Sequence, residues 1–330
     1  MRLPPVFTKA FAFLKKPDAA AGLDARRRRQ EQTVRIGLGI FAAFPLILVV
    51  LILAALTVRS WPIMQTQPLW DLVTGLDWHP ARGNFGFLPF ILGTFWVTIL
   101  ALLLAVPPCL LTAIYLAEYA RAFTRNITKP LIDLLAAIPS VVYGVWGVLT
   151  VVPWVQGSLA PALNAMFPGA ALFAKTNPTG YGIAAGGIVL AVMIAPFIIA
   201  VSYEVLHTVP LGLRQASLAL GATRWQTIRS AVLPRALPGI LAGVVLGASR
   251  ALGETMAVLM VVGNVAQIPH SIFDAAYPLP ALIANNYGEM LSIPLNDAAL
   301  MGAALMLLII VLAFNIASTL ALRHVIGRSL

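Results

Sequence analysis

The sequence predicts an all-α, polytopic membrane protein with six transmembrane helices. Of its 330 residues 60% are hydrophobic and 10% charged, with mean hydropathy +0.89. A water-soluble domain keeps roughly 25% charged residues, because something must face water. The few charges also cluster between long uncharged runs, six of which hold the roughly 20 apolar residues that cross a bilayer at ~1.5 Å per residue. The same composition excludes a disordered chain, and with Cys109 as the single cysteine there is no internal disulfide and no cysteine-rich metal site.

The runs are 34–58, 88–116, 131–155, 181–201, 239–262 and 298–322. They make a six-span transmembrane domain over 34–322, preceded by a basic tail over 1–33 and followed by a short tail over 323–330. The 1–33 segment is not a cleavable signal, because the first long apolar run begins only after it and is too long for an h-region. Pro107 and Pro108 interrupt the second run, Pro139 the third and Pro196 the fourth, each removing a backbone donor and bending its helix. In the fifth, Gly239, Gly243 and Gly247 recur every four residues, a spacing that lets another helix or subunit approach closely.

The net charge of +10 marks topology rather than a nucleic-acid partner. Placing the N-terminus in the cytoplasm leaves nine Lys and Arg in residues 1–35, three in 117–130, four in 202–238 and two in the last tail. Only Arg59, Arg82 and Lys175 then lie outside, a strong positive-inside bias that puts both termini in the cytoplasm. The run Arg26 to Arg29 reads as a cytoplasmic stop touching anionic lipid of the bilayer. The outside segments carry Trp61, Trp70 and Trp78 as interfacial anchors and offer a surface to a further protein.

The 202–238 loop is too patterned for a linker. Thr208 is expected as a cap for a helix through `LGLRQASLAL`, Gly221 as its positive-φ stop, and Thr223 with Gln226 as a capping box for a second helix that Pro234 ends. Trp225, Ile228 and Val232 share one apolar face of that second helix, with Arg224 and Arg229 elsewhere. Tethered at both ends to membrane spans, the pair lacks the freedom to enter a DNA groove and reads as a docking element for a cytoplasmic partner.

These residues resemble the EAA loop of ABC-importer permeases, whose pattern is E-A-A, three residues, G, nine residues, I, one residue, L-P. Ala216, Gly221, Leu233 and Pro234 match at the proper spacing, whereas Gln215, Ser217 and Ala231 depart from it. No contact needing the family's glutamate is therefore carried over to position 215. `LLAAIPSVVYGVWG` and `LGASRALGETMAVLMVVGN` narrow the likeness to the PstC-type permease of the phosphate-specific importer, from about Phe85 to the C-terminus. The resemblance implies an ABC type I importer permease fold, a PstA-type partner permease, a PstB-type ATPase dimer and a periplasmic phosphate-binding protein. It further implies ATPase coupling through Gln215, Ala216, Ser217, Gly221, Trp225, Leu233 and Pro234. This chain has no P-loop, so no cofactor is expected on it, and ATP with Mg is used by the ATPase.

Arg250 and Glu254 are the twelfth and sixteenth residues of the fifth run and so lie near the membrane midplane. Neither can face lipid, at about 2.5–3.5 kcal/mol each even on lenient insertion scales. At i and i+4 they share a helix face and neutralise each other, either as a structural pair or as a cation held ready for an oxyanion. The family motif implies the second role, with phosphate as cargo and sulfate or molybdate as alternatives. Ser140 and Tyr143 offer hydrogen bonds to a pathway or to neighbouring backbone, and Asp133 pairs with Lys129 or Arg125 near the inner end of the third span. A membrane enzyme is disfavoured: His79, His207, His270 and His324 are scattered, so no catalytic set and no metal site is assigned.

Single cysteines replacing Asp77 and Lys175 in a Cys109→Ala background should react with a membrane-impermeant thiol reagent applied to sealed cells. One replacing Arg224 should not, and its labelling would overturn the orientation.

Overall fold

The computed structural model describes residues 17–174, 177–288 and 294–328; residues 1–16 of the basic tail, Lys175 and the last two residues lie outside them. Among the described residues, six helices are long and apolar enough to cross a membrane. The chain divides into two compact units, residues 1–55 and 56–330. Helix α1, Pro17–Thr66, contains the first apolar run and begins well before it. The segment 17–33, expected as tail, is therefore helical.

Within the second unit, α2 (Leu69–Thr74) and a hairpin of β1 (Trp78–His79) and β2 (Asn84–Phe85), pairing Trp78 with Phe85, lead into α3. Helix α3 runs Leu88–Tyr119, α4 Ala122–Ala137, α5 Ser140–Met166 and α6 Ile183–Thr208. Then come α7 (Leu211–Ala219), α8 (Arg224–Leu252), α9 (Met256–Val261), α10 (Leu279–Asn286) and α11 (Pro294–Arg328). Helix α6 is the hub, packed along α3 and α8, with α4 and α9 also against it. Its most enclosed side chains, Ile183, Leu190, Ile194, Ile198 and Leu206, are fully covered. Its N-terminus is capped by backbone from the 261–274 stretch: Ile183 N donates to Asp274 O at 3.0 Å and Ala184 N to Ile272 O at 2.7 Å. Those amides would otherwise be orphaned at a helix start.

Of the helix boundaries that differ from the sequence reading, two are explained by proline, while the fifth run, read as one span over 239–262, breaks after Leu252 into α8 and α9. The apolar run predicts a third span over 131–155, but Ile138 is extended, as a residue before proline prefers, so α4 stops at Ala137 and the span begins at Ser140. Asp133 thus belongs to a separate helix between spans. Conversely Pro234 does not end a helix. Wide π turns occupy Tyr115–Tyr119, Gly147–Val151, Val155–Leu159 and Ile228–Val232, and the last three each finish two residues before a proline: Pro153, Pro161 and Pro234. A proline has no N–H for the usual i−4 carbonyl and its ring presses on it, and one wide turn absorbs both defects so that the helix continues.

The glycine spacing on α8 packs as expected, and the partner is α6 of the same chain. A Cβ on Gly239 would stand 2.5 Å from Val205 Cγ1, on Gly243 2.9 Å from Val201 Cγ1, and on Gly247 2.8 Å from Ile198 Cγ1. Only glycine lets the two backbones approach this closely.

Candidate functional site

The glycine seam fixes the placement of the last turn of α8 against α6. Three residues beyond Gly247, the Arg250 guanidinium lies over the ring of Phe197, 4.1 Å from its centroid. Phe197 is the fifteenth of the 26 residues of α6, so the cation sits at mid-span. Beside it the Ser249 hydroxyl is shared between Val245 O at 2.9 Å and Asn315 Oδ1 at 2.8 Å, which ties α8 to α11. Arg250 itself is exposed on the surface of this chain.

Glu254 does not neutralise it. Helix α8 ends at Leu252, so the two residues stand on either side of a break instead of on one face. The ion pairs among the described residues are Lys129–Glu204 and Arg214–Glu118. Glu254 Oε1 instead accepts from Ala257 N at 3.2 Å, in the first turn of α9. The break accommodates the charges separately: Arg250 lies in the last turn of α8, where carbonyls concentrate negative charge, and Glu254 beside the free amides of α9. Tyr143 is buried and donates to Leu135 O at 2.8 Å, bridging the α4–α5 break. Ser140 is half-buried at the first position of α5. Asp133 is exposed, and the partner of Lys129 is Glu204, at 2.5 Å, rather than Asp133. That hydrogen bond raises the Lys129 pKa.

At the far end of α8 lies the turn between α6 and α8. Thr208 is the last residue of α6, its hydroxyl bonded to Val205 O, and Pro210 occupies the position before α7 that the sequence reading gives to Thr208. Gly221 has φ +84° and no atom within 4 Å of a would-be Cβ, so backbone conformation alone requires glycine. The capping box is present: Thr223 Oγ1 accepts from Gln226 N at 3.3 Å and Gln226 Oε1 accepts from Thr223 N at 2.8 Å. Ser217 Oγ lies 3.0 Å from Thr227 Oγ1, clasping α7 to α8. Ile228 and Val232 are buried as the periodicity requires, but Trp225 is not with them. It is 50% exposed, and Leu211, Leu218 and Leu220 of the same turn are exposed as well, with Gln215 and Ala216. Leu233 and Pro234 lie within α8, half-buried and exposed.

One part of this element has no counterpart in the sequence reading. Arg214 Nε and Nη2 both donate to the Glu118 carboxylate, Nη2–Oε1 at 2.8 Å, and the same guanidinium donates to Leu206 O and Val209 O. Both side chains are nearly enclosed, at 14% and 12% exposure. The pair binds α7 to the end of α3 across 96 positions of chain. Only the three-dimensional fold reveals it.

The family described as binding-protein-dependent transport system inner membrane component matches residues 109–329. A probable ABC transporter permease protein, YqgH of Bacillus subtilis, is 37% identical over 300 residues, covering 88% of this chain and 91% of its own. The phosphate transport system permease protein PstC of Pasteurella multocida is 36% identical over 302 residues, covering 86% and 92%. A bacterial ABC transporter involved in alginate import has a similar fold, with TM-score 0.56 at 20% identity over 88% of this chain and 98% of that one.

Because Gly221 alone sustains the turn, Gly221→Val should cost roughly 1–2 kcal/mol locally. Hydrogen exchange at 211–227 should then rise about tenfold, one decade per ~1.4 kcal/mol, while α3 and α6 keep their protection. Unchanged exchange in that segment would show that the left-handed turn carries no stability.

Proposed function

The chain belongs to the binding-protein-dependent transport system inner membrane components, and on that premise we propose that it is the permease subunit passing inorganic phosphate inward through an ATP-driven importer. The observation that carries the reading is the mid-span Arg250, stacked on Phe197, exposed on the chain and without a carboxylate partner among the described residues. A guanidinium at that depth cannot face lipid, so it must face a second polypeptide or an aqueous path. Its planar fork makes parallel hydrogen bonds to a phosphate oxyanion. The name of the Pasteurella relative, a phosphate permease, supports the same cargo.

In this account the partners are a PstA-type permease that completes the path, a PstB-type ATPase dimer and a periplasmic phosphate-binding protein, and both termini are cytoplasmic. ATP and Mg are handled by the ATPase. The exposed apolar surface of α7 with Trp225 is where that ATPase docks. Helix α8 then links the two places directly: from Trp225 to Arg250 is 25 residues, ~38 Å of helix at ~1.5 Å per residue. Displacement of the docking turn is passed along this rod to the cation, while Arg214–Glu118 makes α3 move with α7. Phosphate leaves the binding protein, meets Arg250, and is released as the rod shifts the guanidinium relative to the partner permease. Glu254, beyond the break, shapes the field at that point without quenching the cation.

Arg250→Lys keeps the charge and loses the fork. Losing one charge-assisted hydrogen bond, at about 1.5–3 kcal/mol, should cut radiolabelled phosphate uptake about tenfold or more. Subunit levels should stay normal. Glu254→Gln should reduce uptake far less, since no ion pair is broken. Near-normal uptake by Arg250→Lys, or equal losses in the two variants, would sink the pathway role.

A further inference from the structure

Helix α4 is joined to the spans on either side by two residues each, Ala120–Arg121 and Ile138–Pro139, and is thereby held at the membrane–water boundary. Its Phe123, Ile127, Leu131 and Leu134 form an exposed apolar stripe at helical spacing, Phe123 being 76% exposed. Arg125 and Lys129, four residues apart, lie on another face, with Arg121 just ahead of the helix. That is the pattern of a helix lying in an anionic interface. Between α4 and α6 is a groove of about 360 Å³ with an apolar floor that includes Leu116, Ile132, Ile199 and Val205.

Four charged groups line this groove: Arg125, Lys129, Asp133 and Glu204. Lys129 and Glu204 neutralise each other at 2.5 Å. Asp133 is exposed and lies two turns along α4 from Arg125, ~12 Å by helical rise. Arg125 has no acidic partner among the described residues: its Nε is buried without any hydrogen bond, and Nη2 reaches only Ala120 O, at 3.4 Å. A buried N–H left unsatisfied is unfavourable, and a guanidinium edge is the natural counterpart of a phosphodiester.

We propose that the α4–α6 groove binds an anionic phospholipid, with the headgroup phosphate on the Arg125 guanidinium and an acyl chain against the apolar floor. A free phosphate ion would leave that floor uncovered, and the tether of α4 between two spans presents the groove to lipid. The site is distinct from Arg250 and does not depend on which anion is transported. Lipid bound here braces α4 against the hub helix α6, close to where α3 meets α7.

The test is native mass spectrometry of the assembled transporter released from mixed phosphatidylglycerol and phosphatidylcholine. The wild type should retain phosphatidylglycerol over phosphatidylcholine by about tenfold, in keeping with a juxtamembrane cation contact of about one decade. Arg125→Gln, and independently Ile132→Trp filling the groove, should abolish that preference, whereas Arg121→Gln outside it should not. Equal retention of both lipids by the wild type, or an unaltered preference in Arg125→Gln, would overturn the site. Displacement of the lipid by inorganic phosphate alone would also overturn it, in favour of a free-anion site.

Discussion

A charged side chain at mid-span must be sheltered from lipid, and the arrangement around Arg250 answers that constraint. The cation can sit there because three glycines bring α8 close enough to α6 for the guanidinium to lie on Phe197. An aromatic face stabilises a cation by about 0.5–2 kcal/mol without supplying an opposite charge, so the guanidinium keeps its capacity for an anion. A carboxylate in the same place would have filled it. The helix break at Gly253 serves the same end, since it carries Glu254 off the shared face and gives that carboxylate the amide of Ala257 instead.

The second consequence is mechanical. Proline in a long span usually bends or ends it, yet the π turn at Ile228–Val232 keeps α8 continuous through Pro234, from the exposed Trp225 to the stacked Arg250. One continuous element therefore has exposed apolar side chains at one end and the mid-span cation at the other. The enclosed Arg214–Glu118 pair adds α3 to the same body. Because its guanidinium also satisfies two carbonyls at the end of α6, loosening it would release three helices together. In the proposed coupling, transmission across the membrane uses this one helix and the glycine seam, with no sequence of small side-chain shifts.

Much of this architecture is legible in the sequence because it rests on local rules. Six apolar runs, the Thr223–Gln226 capping box, the positive φ of Gly221 and the close-packing glycines all derive from spacing along the chain. The departures involve proline or a break. Spacing alone puts Pro139 inside a span and makes Pro234 a helix end, because single-residue rules do not say whether a neighbouring turn widens to absorb the missing donor. An Arg250–Glu254 pair requires an unbroken helix, and Gly253 with two polar residues after it is the available sign against that. Phe197, Asn315, and the Glu118–Arg214 contact across 96 positions are out of reach of sequence reasoning, since nothing local brings such residues together.

The central claim is that Arg250 faces a water-filled path for an anion instead of a dry protein seam. Its most direct test replaces Arg250 by cysteine in the Cys109→Ala background and follows, in the assembled transporter, the rate of reaction with a small charged thiol reagent. A path lined by position 250 predicts reaction in at least one nucleotide state and slowing by saturating phosphate but not by chloride. A cysteine inert in every state, or modified at a rate that phosphate does not change, would contradict the account.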